Sequence, residues 1–151
     1  MKKLRVYVGC GLTHAPKTFR NKIALFKEEL RKIPWIVVLD FVSPASGSLP
    51  PDPLGIYTHD IHGCVYTANA IIADLSYAST GLGWELGTSA EKLRIRTIMC
   101  SKKNKIVSNL PLGAPRHQEN GHLSFKIYEK SILDLLPYFV EELELLHAEL
   151  K

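Results

Sequence analysis

Apolar positions along this chain fall into short unbroken runs, separated by stretches in which they recur every three or four residues. Leu4–Gly9, Trp35–Phe41, Ala70–Asp74, Arg94–Cys100 and Leu123–Tyr128 are rich in β-branched and aromatic residues and predict five strands. Thr18–Lys32 carries Phe19, Ile23, Phe26 and Leu30 at helical spacing and predicts an amphipathic helix. Gly55–Thr67 and Trp84–Leu93 predict further helices. Ser131–Leu150 predicts the last, with Pro137 in or near its first turns at the expense of a kink. Ser43–Leu54 is dense in Pro, Ser and Gly and predicts a loop, as does Lys102–His122 with Pro111 and Pro115.

Strands alternating with helices imply a parallel sheet covered on both faces. Five strands in this order predict an α/β, flavodoxin-like, doubly wound fold occupying residues 1–151 as a single domain. Ligands of such sheets bind beyond the carboxyl ends of the strands, near the point where strand order reverses. The loops that fall there are Gly9–Pro16, Ser43–Leu54 and Ser76–Gly83, and the glycines and polar residues collect in them.

The net charge of +4 is mild, and the lysines at 102, 103 and 105 read as a solvated loop. No basic stripe interleaved with aromatics points to nucleic acid. The three cysteines, Cys10, Cys64 and Cys100, are odd in number and lack metal-ligand spacing, so they read as reduced thiols of a cytoplasmic protein. The apolar run Leu4–Val8 behind two lysines is too short for a signal peptide or a membrane span.

Candidate chemistry follows the third strand. Ser79-Thr80-Gly81-Leu82-Gly83 reads as a glycine turn opening the helix from Trp84, and free amides at a helix start form an anion pocket. Glu85 is expected in the first turn of that helix, where the dipole favours its ionised form. Tyr7-Val8-Gly9-Cys10-Gly11 closes the first strand, and its glycines let a ligand approach the backbone. The third glycine of a dinucleotide fingerprint is missing. Tyr7 reads either as a core tyrosine or as a hydroxyl aimed at a carboxylate. Asp60 reads either as a solvent-facing helical acid or, beside Ile56, Ile61, Cys64 and Val65, as a partly buried working one. His59 and His62 do not share a helical face at metal-ligand spacing. Two carboxylates from different elements can divide labour at a glycosidic carbon: one attacks, the other handles the leaving group's proton.

Tyr7-x-Gly9-x-Gly11, Asp60, the run Ala68–Asp74 and Gly81-Leu82-Gly83-Trp84-Glu85-Leu86-Gly87 resemble the nucleoside 2-deoxyribosyltransferase superfamily, over Arg5 to Gly113. The resemblance implies cleavage of an N-glycosidic bond through a covalent glycosyl-glutamate, without metal or organic cofactor. Glu85 matches the nucleophile, Asp60 the acid that assists departure of the base, and Tyr7 the tyrosine that orients the nucleophilic carboxylate. Gly9, Gly11, Ser79, Gly81 and Gly83 would hold sugar or phosphate. The family builds its site across a dimer interface, which implies a homodimer or higher homo-oligomer with Lys102–His122 near the partner.

Two branches divide the family. In the transferases, which exchange bases on free deoxynucleosides, the position of Ser79 is typically acidic. The 2′-deoxynucleoside 5′-phosphate N-hydrolases carry serine there, which repels no phosphate. The plain amphipathic ending Ser131–Lys151 also resembles the hydrolases, and Ser108 falls near a serine that reaches the phosphate from the adjacent subunit. Ser108-Asn109-Leu110 resembles a transferase segment as well, and Tyr7–Gly11 is nearer the transferase wording. The hydrolases' serine and arginine after the first strand are not evident; Thr13, His14 and Lys17 are the residues available to replace that arginine. The expectation is therefore a hydrolase of (deoxy)nucleoside 5′-monophosphates, with a deoxyribosyltransferase and a non-catalytic nucleotide-binding module as rivals.

Overall fold

The computed structural model describes residues 2–41 and 52–150. The part of the Ser43–Leu54 loop expectation that covers 43–51 lies outside the described residues. Five parallel strands form one sheet in the order β2-β1-β3-β4-β5: β1 (Leu4–Cys10), β2 (Ile36–Leu39), β3 (Ala70–Asp74), β4 (Arg96–Lys102) and β5 (Leu123–Tyr128). This is the flavodoxin-like arrangement that the alternating pattern predicts. Strand order reverses between β1 and β3, and the carboxyl ends of those strands frame a crevice.

Alternate residues of each strand serve opposite layers. Val6, Val8, Ala70, Ile72, Ile98 and Cys100 pack with Ile23, Phe26 and Leu30 of α1 (Lys17–Arg31) and with Phe139 and Leu143 of α5 (Leu136–Glu149). Phe26 and Phe139 meet edge to face at 5.3 Å, joining the two helices over the sheet. On the other side Tyr7, Ile71, Ala73 and Met99 pack with Ile61, Cys64 and Val65, and with Leu82 and Leu86 of α3 (Thr80–Gly87). No helix among the described residues is long and apolar enough to cross a membrane.

Several boundaries differ from expectation for local reasons. The second strand shrinks to Ile36–Leu39 at the sheet edge. The helix before β3 starts earlier than Gly55: Asp52 caps it by accepting from the Gly55 amide at 2.6 Å, and Leu54 belongs to α2 (Pro53–Tyr57). It continues as a π-helical stretch over Thr58–Cys64 and ends in a 3₁₀ turn at Val65–Thr67. The helix after β3 starts at Thr80, not Trp84, because Ser79 caps it through the Leu82 amide at 3.2 Å. β4 starts at Arg96 because Arg94 is left-handed, with φ 51°, and closes the π-helical stretch Thr88–Leu93. The expected loop 102–122 contains α4 (Asn109–Gly113) and a 3₁₀ turn at Ala114–Arg116. The last helix splits into a 3₁₀ turn at Ile132–Leu135, started by a Ser131–Asp134 capping box, and α5, with Pro137 in its first turn where no amide bond is lost.

A buried polar knot closes the carboxyl end of the sheet on the α1/α5 side. The Tyr128 hydroxyl donates to Asp74 Oδ2 at 2.7 Å, and the Ser76 amide donates to Asp74 Oδ1 at 2.9 Å. Ser76 Oγ lies 3.1 Å from the Tyr128 hydroxyl and accepts from the Lys102 amide at 2.8 Å. Burial pushes the Asp74 carboxyl above its ordinary pKa, while hydrogen bonds from Ser76 and Tyr128 pull it back. Tyr128→Phe leaves a buried carboxylate oxygen short of a donor. It is expected to lower stability by about 1–3 kcal/mol in urea denaturation; a change near zero would show that the knot holds nothing together.

Candidate active site

Three elements of the Ile71/Met99 face converge at the end of β1. Tyr7 points into this layer with its side chain fully buried. Asp60 enters from the π-helical stretch and is 7 % exposed. Glu85 enters from α3 and is 9 % exposed. π-helical geometry recurs at functional sites, and here it follows or holds both acids: Asp60 lies within one such stretch, and the helix bearing Glu85 runs into the other.

Gly9 makes this convergence possible. A Cβ there would stand 2.9 Å from Leu82 Cδ1, 3.2 Å from Glu85 Oε2 and 3.3 Å from Tyr7 Cε1. Its missing side chain is therefore the space into which the Glu85 carboxylate fits. Gly11 permits a second close approach, since a Cβ there would lie 2.4 Å from the Tyr77 carbonyl oxygen and 3.1 Å from Ser79 Cβ.

Burial, first of all, raises the Glu85 carboxyl to about 7; the Tyr7 hydroxyl and the Lys27 charge pull it down, and the Asp60 charge pushes it up. The expected first-turn position, and the dipole that would have kept Glu85 ionised, are corrected. Glu85 lies in the second turn of a helix starting at Thr80, beyond the reach of the free amides, and desolvation wins. Tyr7 is raised well above the ordinary phenol range, chiefly by burial and then by the charges of Glu85 and Asp60. Its hydroxyl meets no partner at good hydrogen-bonding geometry among the described residues, yet lies near enough to Glu85 to favour the carboxylate.

Asp60 Oδ1 lies 2.9 Å from His59 Nδ1, and His59 Nδ1 lies 3.8 Å from the Cys64 thiol. Burial, then the charges of Asp60 and Glu85, push Cys64 up to about 11, and burial raises Cys10 to about 12, so both stay thiols. Among the described residues no group of three or more His, Cys, Asp or Glu is placed to hold a metal ion.

A cleft of about 370 Å³ opens beside the acids, lined by Pro53, Ile56, Tyr57, Ile61 and Trp84 together with Asp60, Glu85, Thr80 and Gly81. That size suits a small organic ligand. Of its lining residues, Trp84 and Tyr57 stand exposed, at 64 % and 42 %. Gly81 thus borders the cleft, whereas Gly83 faces open space inside the helix; neither forms a turn ahead of it. Ser79 is the helix cap, its hydroxyl engaged by the Leu82 amide. Thr13 and His14 are exposed in the segment after β1, and Lys17 is exposed at the first position of α1. Ser108 and Asn109 sit at the start of α4, exposed and outside this chain's cleft.

Sequence reasoning missed Lys27. It reads as one more polar position of α1, but its side chain is only 12 % exposed. It bridges to Asp40 at 3.0 Å and lies 4.5 Å above the Phe41 ring, which meets the Tyr7 ring edge-on at 6.2 Å. The one signal available was its adjacency to Phe26 in a face otherwise spaced for burial.

Two outcomes test this geometry. The folded pKa of Glu85, about 7 against an ordinary 4.5, means that protonated Glu85 suits the fold. Its stabilising contribution is full below pH 4.5 and is lost as pH rises through 7. Glu85→Gln should therefore raise stability at pH 8 by on the order of 2–3 kcal/mol, roughly 5–10 °C in Tm, and by little at pH 4.5. Equal Tm values at both pH values would refute the buried placement. Gly11→Ala should cost about 1–3 kcal/mol through its clash with the Tyr77 carbonyl. Gly83→Ala, with open space around it, should add about 0.5–1 kcal/mol of helix propensity. Chemical denaturation of the pair reads both signs.

No family model matches the chain, and no curated protein does. Among solved structures it is similar to a conserved protein from Enterococcus faecalis V583, at 14 % identity and a TM-score of 0.58, covering 93 % of this chain and 99 % of that one. That likeness establishes the doubly wound fold and extends over nearly the whole of both chains.

Proposed function

We propose that the protein is an N-glycosidase that hydrolyses a (deoxy)nucleoside 5′-monophosphate to free base and sugar 5-phosphate. The observation that carries the reading is the burial of Tyr7 and Glu85 against the Cβ-free Gly9, with the Glu85 carboxyl held at about 7 and buried Asp60 beside it in one apolar cleft. A buried carboxylate poorly solvated by water is a strong nucleophile toward a carbon that develops oxocarbenium character.

In the first half-reaction a Glu85 oxygen attacks C1′. The C1′–N bond breaks with its electron pair leaving on the base, and the base takes up a solvent proton that Asp60 relays. The Tyr7 hydroxyl steadies the attacking carboxylate. In the second, water attacks C1′, Asp60 takes its proton, and Glu85 departs as a carboxylate. Pro53, Ile56, Tyr57 and Trp84 offer the base an apolar and aromatic wall, and the amides at the start of α3 offer the 5′-phosphate a place beside Ser79 and Gly81. Trp84 and Tyr57, exposed at the cleft, support a homodimer in which a second copy covers them. No step calls for a metal or organic cofactor.

One observation favours a second reading. No lysine or arginine lines this cleft among the described residues, which suits an uncharged nucleoside and a base-exchanging deoxyribosyltransferase.

Release of free base from a panel of nucleosides and 5′-monophosphates, with and without an acceptor base, separates the readings. The expected result is release from monophosphates alone, indifferent to acceptor and reduced at least about 10³-fold in Glu85→Ala. Because only ionised Glu85 attacks, kcat should rise with pH through about 7. In Tyr7→Phe the rise should move to higher pH, since the hydroxyl that favours the carboxylate is gone. Acceptor-dependent exchange on free nucleosides would make the protein a transferase. Ligand binding with no turnover would make it a binding module.

A further inference from the structure

The polar knot of Asp74, Ser76 and Tyr128 has a cleft above it, across the sheet from Glu85. It encloses about 170 Å³, and Lys22 of α1, Lys102 at the end of β4 and Lys130 after β5 all line it. Phe19 and Tyr77, edge to face at 4.8 Å, form its aromatic wall, and Thr18 adds a hydroxyl. A fourth cation, Lys105, stands 4.2 Å above the Tyr77 ring.

Neighbouring surface cations are neutralised: Lys103 by Glu129 at 2.8 Å, Lys27 by Asp40 at 3.0 Å. The three lysines of the cleft have no carboxylate within 4.0 Å among the described residues, and no acid lines the cleft. Asp74 lies beneath it, fully buried and closed off by Tyr128. Asp134, outside the cleft, feels the Lys130 charge, but Lys22 and Lys102 have no such neighbour among the described residues, and like charges lining one concavity favour an anion that joins them. Lysine ammonium groups are point-charge phosphate binders, and a phosphate monoester near its second ionisation brings close to two charges.

Size narrows the ligand. A volume of about 170 Å³ lies below the roughly 300 Å³ of an ordinary organic-ligand site. A partly open cleft of this size suits a phosphoryl group with a small polyol better than a whole nucleotide. The position also fits, beyond the carboxyl ends of β4 and β5.

We propose that this cleft is a second site, separate from the acidic one, that binds a small phosphate monoester of pentose-phosphate size. It does not depend on the reading of Glu85. Tyr77 touches both regions: its ring side lines the lysine cleft, its carbonyl abuts Gly11, and Ser79 caps the catalytic helix two residues on.

The test is calorimetric titration of the full chain at low salt with inorganic phosphate and, separately, with ribose 5-phosphate. Wild type, Lys102→Gln/Lys130→Gln and Ser79→Ala are compared, with folding checked by circular dichroism. Saturable binding of ribose 5-phosphate is expected, several-fold tighter than inorganic phosphate. It should weaken about tenfold in the double lysine variant, weaken with added salt, and persist in Ser79→Ala. Binding unchanged by the lysine substitutions, or lost only in Ser79→Ala, would place the anion at the Glu85 site and overturn the proposal. Absence of saturable binding overturns it too, and equal affinity for both anions overturns the assignment of a sugar-sized ligand.

Discussion

Gly11 stands where any side chain would collide with the Tyr77 carbonyl, and Gly9 stands where one would press against the Leu82 and Glu85 side chains. These two approaches draw the end of β1 against the segment from Tyr77 to Glu85. The capping of α3 by Ser79, the burial of Glu85 and the contact between Glu85 and Tyr7 all follow from that closeness. Backbone atoms cannot yield as a flexible side chain can, so the Gly11 contact fixes the register between β1 and the α3 entry. The cleft takes its shape from what remains.

Two buried carboxylates at the same sheet edge are both pushed up by burial but differ in their hydrogen bonds. Asp74 has two donors on its oxygens, from the Ser76 amide and the Tyr128 hydroxyl, and is a fixture of the fold. Glu85 is buried beside Gly9, and the Tyr7 hydroxyl and the Lys27 charge, which favour its ionised form, do not outweigh that burial. A satisfied acid stabilises, and a poorly satisfied one stores free energy that chemistry can release. The fold carries the second because the first, together with two apolar layers, anchors the strands on which both stand.

The strands were legible because parallel strands buried on both faces read as unbroken apolar runs. Ala70–Asp74 and Leu123–Tyr128 fall within the bounds the pattern drew. The start of α3 was misread because two glycines look like a turn, whereas a serine cap admits them to the first turn of a helix. The acids could be named from type and spacing, but their burial could not, and burial reverses the expected ionisation of Glu85. Lys27 was invisible because its partners, Asp40 and Phe41, arrive from the far end of β2. The lysines at 102, 103 and 105 read as one solvated run, yet in space they part: one enters a cleft, one meets Glu129, one covers Tyr77.

Among the described residues the sheet ends in two margins, β2 and β5. β2 is four residues long and is followed by Asp40, held by Lys27 and Arg31; β5 carries Lys126 in its exposed half. Short, charge-flanked margins are poor templates for another strand. Copies of this protein therefore have little means of joining sheet to sheet, and fibril-like growth along the strand-pairing direction is disfavoured. Exposed apolar surface stands instead on a helical face, at Trp84.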